Sequence, residues 1–524
     1  MTGTGALLRL ALRLDRVRLA VWILVIAATP AATAANYQKL YPTVESLRAV
    51  SGIISNPSLV ALSGPLFGVS LGGLTTWKVG LTELILAAVM SMLTVVRHTR
   101  TEEETGRLEL IGATVVGRYA PLTAALLTAV LANVAAALLV ALGLVGTGLP
   151  VAGSVAMGLS IGLTGVVFAA VAAVTAQVTE SGRSATAIAA AGLGAAYLLR
   201  AVGDTGPAWL SWLSPLGWAM RMRPFAGERW WAAALAAGFT AVLATVAYTL
   251  VGQRDLNAGL LPQRPGPAAA SPGLRSPLAL AWRLHRGLFV GWVIGLALAG
   301  AALGGAAQGI SHAEGVGQQM TDLLTRMGGR KAIVDAYLAV AFSFTGLVAA
   351  VYTVQATLRL RAEEAAGRLE PLLATRVGRI RWAVSHLAFA VLGTAVLLAA
   401  AGVGAGLAYG VQVHDVGGQL PRLVGAALVQ LPAAWVLAGF GTALFGLVPR
   451  WTVLTWAGLV ACLLVLEVGE LLGLSQWFLD TSPFAHVPKL PGTAFTVTPL
   501  VWLTGVAAVL TAAGLAGFRR RDAG

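Results

Sequence analysis

Residues 100–118 read RTEEETGRLELIGATVVGR, and residues 361–379 read RAEEAAGRLEPLLATRVGR. Twelve of the nineteen aligned positions are identical, including an adjacent glutamate pair and the run Gly-Arg-Leu-Glu. Both copies lie between long apolar runs in a chain that is only 11% charged. We name residues 100–118 elbow 1 and residues 361–379 elbow 2, because two matching polar bends between apolar runs indicate a duplicated membrane protein.

The apolar runs themselves set the fold class. Of the 524 residues, 57% are apolar, and the charged fraction is less than half of the quarter or so that is usual in soluble proteins. Runs of about 20 apolar residues recur, each long enough to cross the roughly 30 Å hydrocarbon layer as a helix. Only helices and closed barrels satisfy the backbone in lipid, and the sequence lacks the alternation typical of barrel strands. We therefore predict an all-α, multi-pass protein of the cell membrane.

Twelve apolar segments predict twelve transmembrane helices, six in each half of the chain. Six crossings per half give both halves the same orientation, so the repeats are parallel. Arginines cluster between alternate spans, which by the positive-inside rule predicts cytoplasmic N- and C-termini. The predicted halves are residues 1–252 and 283–524, joined by a proline-rich cytoplasmic linker at 253–282. The predicted spans are about 19–35, 72–96, 119–145, 150–178, 184–199, 230–251, 287–308, 336–358, 383–408, 422–447, 452–473 and 498–517.

Several function classes are disfavoured by composition. The net charge of +14 does not indicate nucleic-acid binding, because the arginines lie in short clusters between apolar segments. The single cysteine, Cys462, lies in an apolar run and predicts neither a disulfide nor a cysteine metal site. No G-x-x-x-x-G-K-[ST] phosphate loop occurs. We therefore expect no cofactor, no metal and no enzymatic activity in this chain.

The two elbows contain the charged residues that the apolar spans lack. Gly106 and Gly367 interrupt helical propensity. The chain is therefore expected to turn at each of them and to continue as a short surface helix with an acidic rim. Glu103 with Arg107, and Glu364 with Arg368, have the i, i+4 order of a helical ion pair. The plain alternative is a pair of solvated interfacial helices. A docking surface is favoured, because acidic residues contribute little to topology and yet recur in both copies.

The two elbows, each between the second and third spans of a six-span half, resemble those of fused permeases of actinobacterial ABC exporters, in the polyketide-antibiotic (tetronasin-like) exporter family. The resemblance covers the whole chain and is most specific in the elbows. It implies a separate ABC ATPase, two copies per permease chain, that binds ATP and Mg and receives the elbows as coupling helices. The residues it assigns to coupling are Glu102, Glu103, Gly106, Arg107, Glu109, Glu363, Glu364, Gly367, Arg368 and Glu370.

The predicted function is a permease subunit that moves hydrophobic or amphipathic small molecules, antibiotics or drugs among them, out of the cell. The alternative is a proton-coupled secondary transporter of the major-facilitator kind, whose loop after the second span usually carries a basic Gly-Asp-Arg-type motif by family resemblance. The elbows lack that motif. A third class is a scaffold or membrane enzyme that transports nothing.

One carboxylate is predicted inside the membrane. Glu83 lies near the middle of the second span, and an intramembrane carboxylate is costly enough to suggest a functional role. We therefore regard it as a candidate transport-path residue. The alternatives are that the second span is drawn wrongly, or that Lys78, five residues away, pairs with Glu83 near the outer surface.

Overall fold

The computed structural model describes residues 2–43, 45–48, 54, 57–108, 115–253, 259, 269, 273–311, 329–468 and 475–521. Within these ranges every regular element is a helix, which confirms the all-α class. The chain divides into two compact units, unit 1 being Met1–Gly266 and unit 2 being Pro267–Gly524. The division falls inside the predicted linker, most of which lies outside the described residues.

Ten α-helices have both ends in the described part of unit 1, which also includes elbow 1 except for residues 109–114. A π-helical segment, Arg97–Thr101, connects the fourth of these helices to the fifth, and a 3-10 turn, Leu210–Leu213, precedes the ninth. The helices are α1 Thr4–Leu14, α2 Arg16–Leu40, α3 Pro57–Ser63, α4 Leu71–Val96, α5 Glu102–Glu104, α6 Ala120–Gly146, α7 Val151–Val178, α8 Gly182–Thr205, α9 Pro215–Met220 and α10 Trp231–Gln253.

Nine further α-helices lie in the described part of unit 2, which includes elbow 2. Two 3-10 turns, Pro449–Trp451 and Pro483–His486, flank the helices near its end. The helices are α11 Pro277–Ser311, α12 Gly329–Ala365, α13 Leu369–Leu373, α14 Arg379–Gln412, α15 Val416–Leu428, α16 Leu431–Leu447, α17 Leu454–Val468, α18 Gln476–Leu479 and α19 Thr498–Arg520.

Eleven helical segments in the described part of the chain are long and apolar enough to cross a membrane. They coincide with eleven of the twelve predicted spans. The remaining one corresponds to α17, which has 15 residues and at about 1.5 Å per residue covers only ~22 Å. Residues 469–474, which complete that predicted span, lie outside the described residues. The twelfth crossing, the parallel repeat and the cytoplasmic termini therefore remain predictions.

Small residues determine how closely the helices of unit 1 approach. A Cβ at Gly158 of α7 would lie 2.3 Å from the Ala137 carbonyl oxygen of α6, and one at Gly165 would lie 1.8 Å from Asn133 Oδ1. Asn133 Nδ2 in turn donates to Ser91 Oγ of α4 at 2.7 Å. In lipid, such close packing and interhelical hydrogen bonds replace the hydrophobic driving force that associates helices in water. The core of unit 1 therefore lies between α4, α6 and α7.

In unit 2, glycines allow two pairs of helices to approach equally closely. A Cβ at Gly300 of α11 would lie 2.0 Å from the Ala401 carbonyl oxygen of α14. A Cβ at Gly446 of α16 would lie 1.8 Å from the Gly514 carbonyl oxygen of α19. Any larger residue at these glycines would separate the helices. The second contact matters for elbow 2, because it holds α19 against α16, and Phe518 of α19 and Phe445 of α16 pack in one cluster with Leu369 of the elbow.

Candidate functional site: the two elbows

Both elbows turn at a glycine with a left-handed backbone. Gly106 has φ +71° and Gly367 has φ +67°. The Gly106 N–H donates to the Glu103 carbonyl, and the Gly367 N–H donates to the Glu364 carbonyl, each at 2.9 Å. Glycine is the residue that adopts this conformation without steric cost and commonly ends a helix in this way. The predicted turn at these two positions is confirmed.

A first ion pair is common to the two elbows. In elbow 1, Arg100 Nη1 donates to Glu103 Oε2, and both side chains are buried. In elbow 2, Arg361 Nη1 lies 3.0 Å from Glu364 Oε2, with the guanidinium 36% exposed. The two pairs occupy identical positions of the repeat and have the same i, i+3 spacing. They hold the last helical turn before the glycine against the helix that precedes it.

A second shared ion pair corrects the sequence prediction. Arg107 Nη1 lies 3.5 Å from Glu102 Oε1, and Arg368 Nε lies 2.6 Å from Glu363 Oε2. The expected i, i+4 partners were Glu103 and Glu364, so the observed carboxylate is one residue earlier. The reason is the left-handed glycine, which ends the helix before the arginine. The arginine side chain therefore lies back across the last helical turn. The hydrogen bond to Glu363 raises the pKa of the Arg368 guanidinium.

Elbow 1 is anchored to other helices of unit 1. Arg100 Nη2 donates to the Thr179 carbonyl at the end of α7. Glu104 Oε1 accepts from the Gly182 N–H at the start of α8, at 3.0 Å, where a helix N-terminus favours a carboxylate. In the π-helical segment that leads into the elbow, His98 Nε2 lies 2.6 Å from the buried Asp15 carboxylate that separates α1 from α2. Elbow 1 is therefore held from three directions.

Elbow 2 is anchored mainly to the C-terminal helix of unit 2. Arg521 Nη2 lies 2.8 Å from Glu364 Oε1. The Arg521 guanidinium also lies over two aromatic rings, with its Cζ 4.9 Å from the Phe445 centroid and 5.3 Å from the Phe518 centroid. Glu363 has a further partner, Arg359, whose Nε lies 2.7 Å from Glu363 Oε1. Each of the two repeated glutamates of elbow 2 therefore has two arginine partners. Glu363 pairs with Arg359 and Arg368. Glu364 pairs with Arg361 and Arg521.

The predicted surface helix is present in elbow 2 as α13, Leu369–Leu373. Leu369 is 1% exposed and packs in a cluster with Trp382, Phe445 and Phe518. Glu370, the next residue, is exposed. In elbow 1, residues 109–114 lie outside the described residues, and they include Glu109 and most of the predicted surface helix.

Three of the four carboxylates in the repeated glutamate pairs face inward. The side chains of Glu103, Glu363 and Glu364 are 6%, 5% and 5% exposed. The arginines that follow the glycines face outward instead, Arg107 with 66% and Arg368 with 51% of its side chain exposed. The predicted acidic rim is therefore not built from the repeated glutamate pairs. The charged side chains that the described part of the elbows does expose are Glu104, Arg107 and Arg118 in elbow 1, and Arg368, Glu370 and Arg376 in elbow 2.

Glu83 lies away from the elbows, inside the helix bundle of unit 1. Its side chain is 0% exposed, and neither carboxylate oxygen has a hydrogen-bond partner among the described residues. Lys78 is exposed, and positions five apart lie about 140° apart around a helix. The structure therefore does not support the alternative of an ion pair between the two. Gly80 and Leu84, its neighbours on α4, line a small cavity with Trp77 and Met157.

Sequence reasoning missed the anchoring residues. Asp15 was visible only as part of the pattern Leu-Asp-Arg, which recurs as Leu-His-Arg at 284–286. Arg521 belongs to the arginine run 519–521, which looked like a simple topology signal. Neither residue could be matched to its partner from the sequence. His98 is 83 residues away from Asp15, and Glu364 is 157 residues away from Arg521.

Comparison with known proteins gives two matches. A family model described as "Multidrug efflux system permease Rv1217c, C-terminal domain" matches residues 274–519. The chain is also similar to the multidrug efflux system permease protein Rv1217c of Mycobacterium tuberculosis (strain ATCC 25618 / H37Rv), with 47% identity over 524 residues, 99% of this chain and 95% of that relative. Neither match carries a polyketide-exporter description.

Proposed function

Because this chain belongs to the family of multidrug efflux system permeases, we propose that it is the transmembrane subunit of an ATP-driven ABC exporter. It moves hydrophobic or amphipathic small molecules out of the cell. The observation that carries the proposal is the recurrence, in both elbows, of the same left-handed glycine and the same two ion pairs. Two matching rigid bends suit two matching sites on an ATPase dimer.

The division of labour among the ten predicted coupling residues follows from their exposure. Glu102, Glu103 and Gly106, with their counterparts Glu363, Glu364 and Gly367, set the shape of each bend. Arg107, Arg368 and Glu370 are exposed and make the contact with the ATPase. Glu109 is assigned to the same contact by its position in the repeat.

Coupling proceeds through the rigid part of each bend. ATP and Mg bind to the partner ATPases and draw them together. In unit 1 the movement of the docked elbow reaches α4 through the buried pair of Arg100 with Glu103. In unit 2 it reaches α12 through Glu363, which Arg359 and Arg368 both contact. A buried, hydrogen-bonded ion pair transmits displacement well, because breaking it strands a charge in a low-dielectric interior.

The family match also makes the alternative of a major-facilitator secondary transporter weaker. The relative is described as a permease of an efflux system, which suggests that a further component works with it. The polyketide-antibiotic specificity rests on the elbow resemblance alone, and Glu83 remains a candidate transport-path residue.

Transport in membrane vesicles tests the proposal. Vesicles that contain the permease and its co-purifying ATPase should accumulate a lipophilic dye when ATP is supplied, and a proton gradient without ATP should drive none. An ATPase inactivated in its phosphate-loop lysine is the matched control and should abolish uptake. Uptake driven by the proton gradient alone, without the ATPase, would identify a secondary transporter instead.

A further inference from the structure

The end of α4 that lies away from elbow 1 packs against a loop with an unusual backbone. Arg223 and Phe225 lie just after α9 and have φ of +52° and +61°. His414 is the one other non-glycine residue with a positive φ in the described part of the chain. A left-handed backbone is strained for a residue that has a side chain, and it persists only where the surroundings hold it. We name residues 223–225 the strained loop.

The Phe225 ring lies between the first turns of two helices. A Cβ at Gly72 of α4 would lie 2.4 Å from Phe225 Cγ, and a Cβ at Gly153 of α7 would lie 2.1 Å from Phe225 Cδ1. Only glycine at both positions leaves room for the ring, and we name this space the ring slot. Two residues earlier, the Arg223 guanidinium lies over the Phe67 ring, with its Cζ 4.8 Å from the ring centroid. These contacts hold the strained loop in its left-handed conformation.

Behind the ring, a small cavity continues the seam between α4 and α7. One turn beyond the two glycines, Thr76 Oγ1 of α4 lies 3.6 Å from Met157 Sδ of α7. These two residues line the cavity together with Ser160 of α7 and Pro224 of the strained loop. The cavity encloses about 30 Å³, which is enough for a water molecule and too small for a drug-sized ligand. The seam is therefore closed to a substrate in this structure.

A stripe of α4 leads from the ring slot to Glu83. Four residues of this helix have an i, i+4, i+8, i+11 spacing and therefore lie on one side of it, namely Gly72, Thr76, Gly80 and Glu83. The Glu83 carboxylate is buried and has no hydrogen-bond partner among the described residues. An intramembrane carboxylate without a partner is costly and suggests a functional role. The seam behind the Phe225 ring thus runs along the side of α4 that carries this carboxylate.

The same helix connects the ring slot to elbow 1. Gly72 is the second residue of α4, which has 26 residues and so spans ~39 Å. At its other end, the π-helical segment leads into the buried pair of Arg100 with Glu103. Helices move largely as rigid bodies, so a displacement of elbow 1 changes the separation of Gly72 from Gly153 at the far end. The ring fits only at the present separation, and a change in it therefore frees the strained loop.

We propose that Phe225 is an outer plug, which closes a path along the seam between α4 and α7 to Glu83 and leaves the ring slot when elbow 1 moves α4. The inference rests on the exporter proposal, which puts elbow 1 on the cytoplasmic side and the strained loop on the outer side. When the ring leaves, the left-handed strain is released and the seam opens to the outer solution. The plug adds what the elbows do not show, namely where unit 1 opens.

Thiol labelling of the full chain without the ATPase tests whether Phe225 closes the seam. In a Cys462→Ala background, Ser160→Cys places a thiol in the cavity wall, and a membrane-impermeant sulfonated maleimide is added outside intact cells. A buried thiol reacts only in open molecules, so Phe225→Ala should raise the labelling rate by about tenfold or more. The matched control Phe239→Ala removes a ring that packs on Trp218 of α9 and should leave the rate unchanged. No acceleration in Phe225→Ala, or equal acceleration in both variants, would overturn the plug.

A reversible disulfide tests whether the strained loop must leave the ring slot. A Cβ at Gly153 would lie 2.6 Å from Phe225 Cγ, so cysteines at these two positions have their β-carbons within disulfide range. In vesicles that contain the permease and the ATPase, the double variant Gly153→Cys, Phe225→Cys, made without Cys462, should lose ATP-driven dye uptake on oxidation and regain it with a reductant. Each single cysteine variant is a control and should respond to neither treatment. Uptake that persists while the disulfide is formed would contradict the proposal.

The two experiments separate the plug from the exporter proposal on which it rests. If the wild type shows no ATP-driven uptake, the exporter proposal fails. The labelling experiment uses no ATPase, and it supports or overturns closure of the seam by Phe225 whatever drives transport.

Discussion

Elbow 1 and elbow 2 have the same internal construction and different supports. Each has an i, i+3 arginine–glutamate pair, a left-handed glycine, and an arginine that folds back to a glutamate five residues earlier. Elbow 1 is then held by Asp15 and by the ends of α7 and α8. Elbow 2 is held by Arg521 and an aromatic cluster. The repeated sequence therefore encodes the bend, whereas the support comes from residues that are not repeated.

The difference extends to the helices that enter the two elbows. The chain enters elbow 1 through a π-helical segment, Arg97–Thr101, and enters elbow 2 through the unbroken helix Gly329–Ala365. Asp15 of unit 1 contacts His98 and Arg97, whereas His285, at the matching position of unit 2, contacts His386 at 3.0 Å. Bends that look equivalent in sequence are therefore expected to respond differently to mutation. The predictions that follow test this difference in order of decreasing effect.

The largest expected effect is the loss of the buried arginine. Arg100→Ala leaves the Glu103 carboxylate buried without this partner, and breaking a buried pair costs about 3 kcal/mol or more. Arg361→Ala removes a guanidinium that is 36% exposed, so a loss of at most about 1 kcal/mol is expected. Thermal unfolding in detergent measures both. Equal destabilisation by the two variants would contradict the difference between the elbows.

Arg521→Ala should destabilise elbow 2 by about 2 kcal/mol, because it removes a hydrogen-bonded ion pair to a buried glutamate and two cation–π contacts. Arg520→Ala, one residue earlier and exposed, is the control and should change little. Hydrogen exchange should rise around residues 363–373 in the first variant only. Increased exchange at elbow 1, or none at elbow 2, would show that the C-terminal arginine is not a support of elbow 2.

The glycines should behave alike in the two elbows. A Cβ at Gly106 or Gly367 would meet no atom within 4 Å, so substitution adds only the strain of a left-handed backbone. Gly106→Ala and Gly367→Ala should each cost about 1 kcal/mol. Thermal unfolding of the two variants should shift by similar amounts. Losses that differ several-fold would mean that the two bends are not the same structure.

The smallest effects on stability are expected at the exposed arginines. Arg107→Ala and Arg368→Ala each remove an ion pair whose guanidinium is more than half exposed, so each should cost less than about 1 kcal/mol. Their effect should appear in ATPase binding instead. A variant that clearly lowers the thermal stability but leaves the ATPase affinity of the folded protein unchanged would reverse the assignment of these residues.

Apolar run length was enough to predict the all-α fold and eleven helices that are long and apolar enough to cross a membrane, because lipid leaves the backbone few other solutions. The bend at Gly106 and Gly367 was also predictable, since glycine has a distinct backbone preference. The partners of Arg107 and Arg368 were not, because a left-handed residue redirects the chain that follows it and invalidates helical spacing. Contacts such as that of Arg521 with Glu364 depend on how distant helices pack, for which the sequence carries no local signal.

Site-directed crosslinking tests the central claim most directly, namely that both elbows contact a partner ATPase. A Cys462→Ala background removes the one native cysteine, after which Arg107→Cys or Glu370→Cys places a thiol on each elbow, with Trp209→Cys, exposed elsewhere in unit 1, as the control. The account predicts crosslinks to the ATPase from both elbow positions and none from the control. Crosslinks from neither elbow, or from one elbow alone, would contradict it.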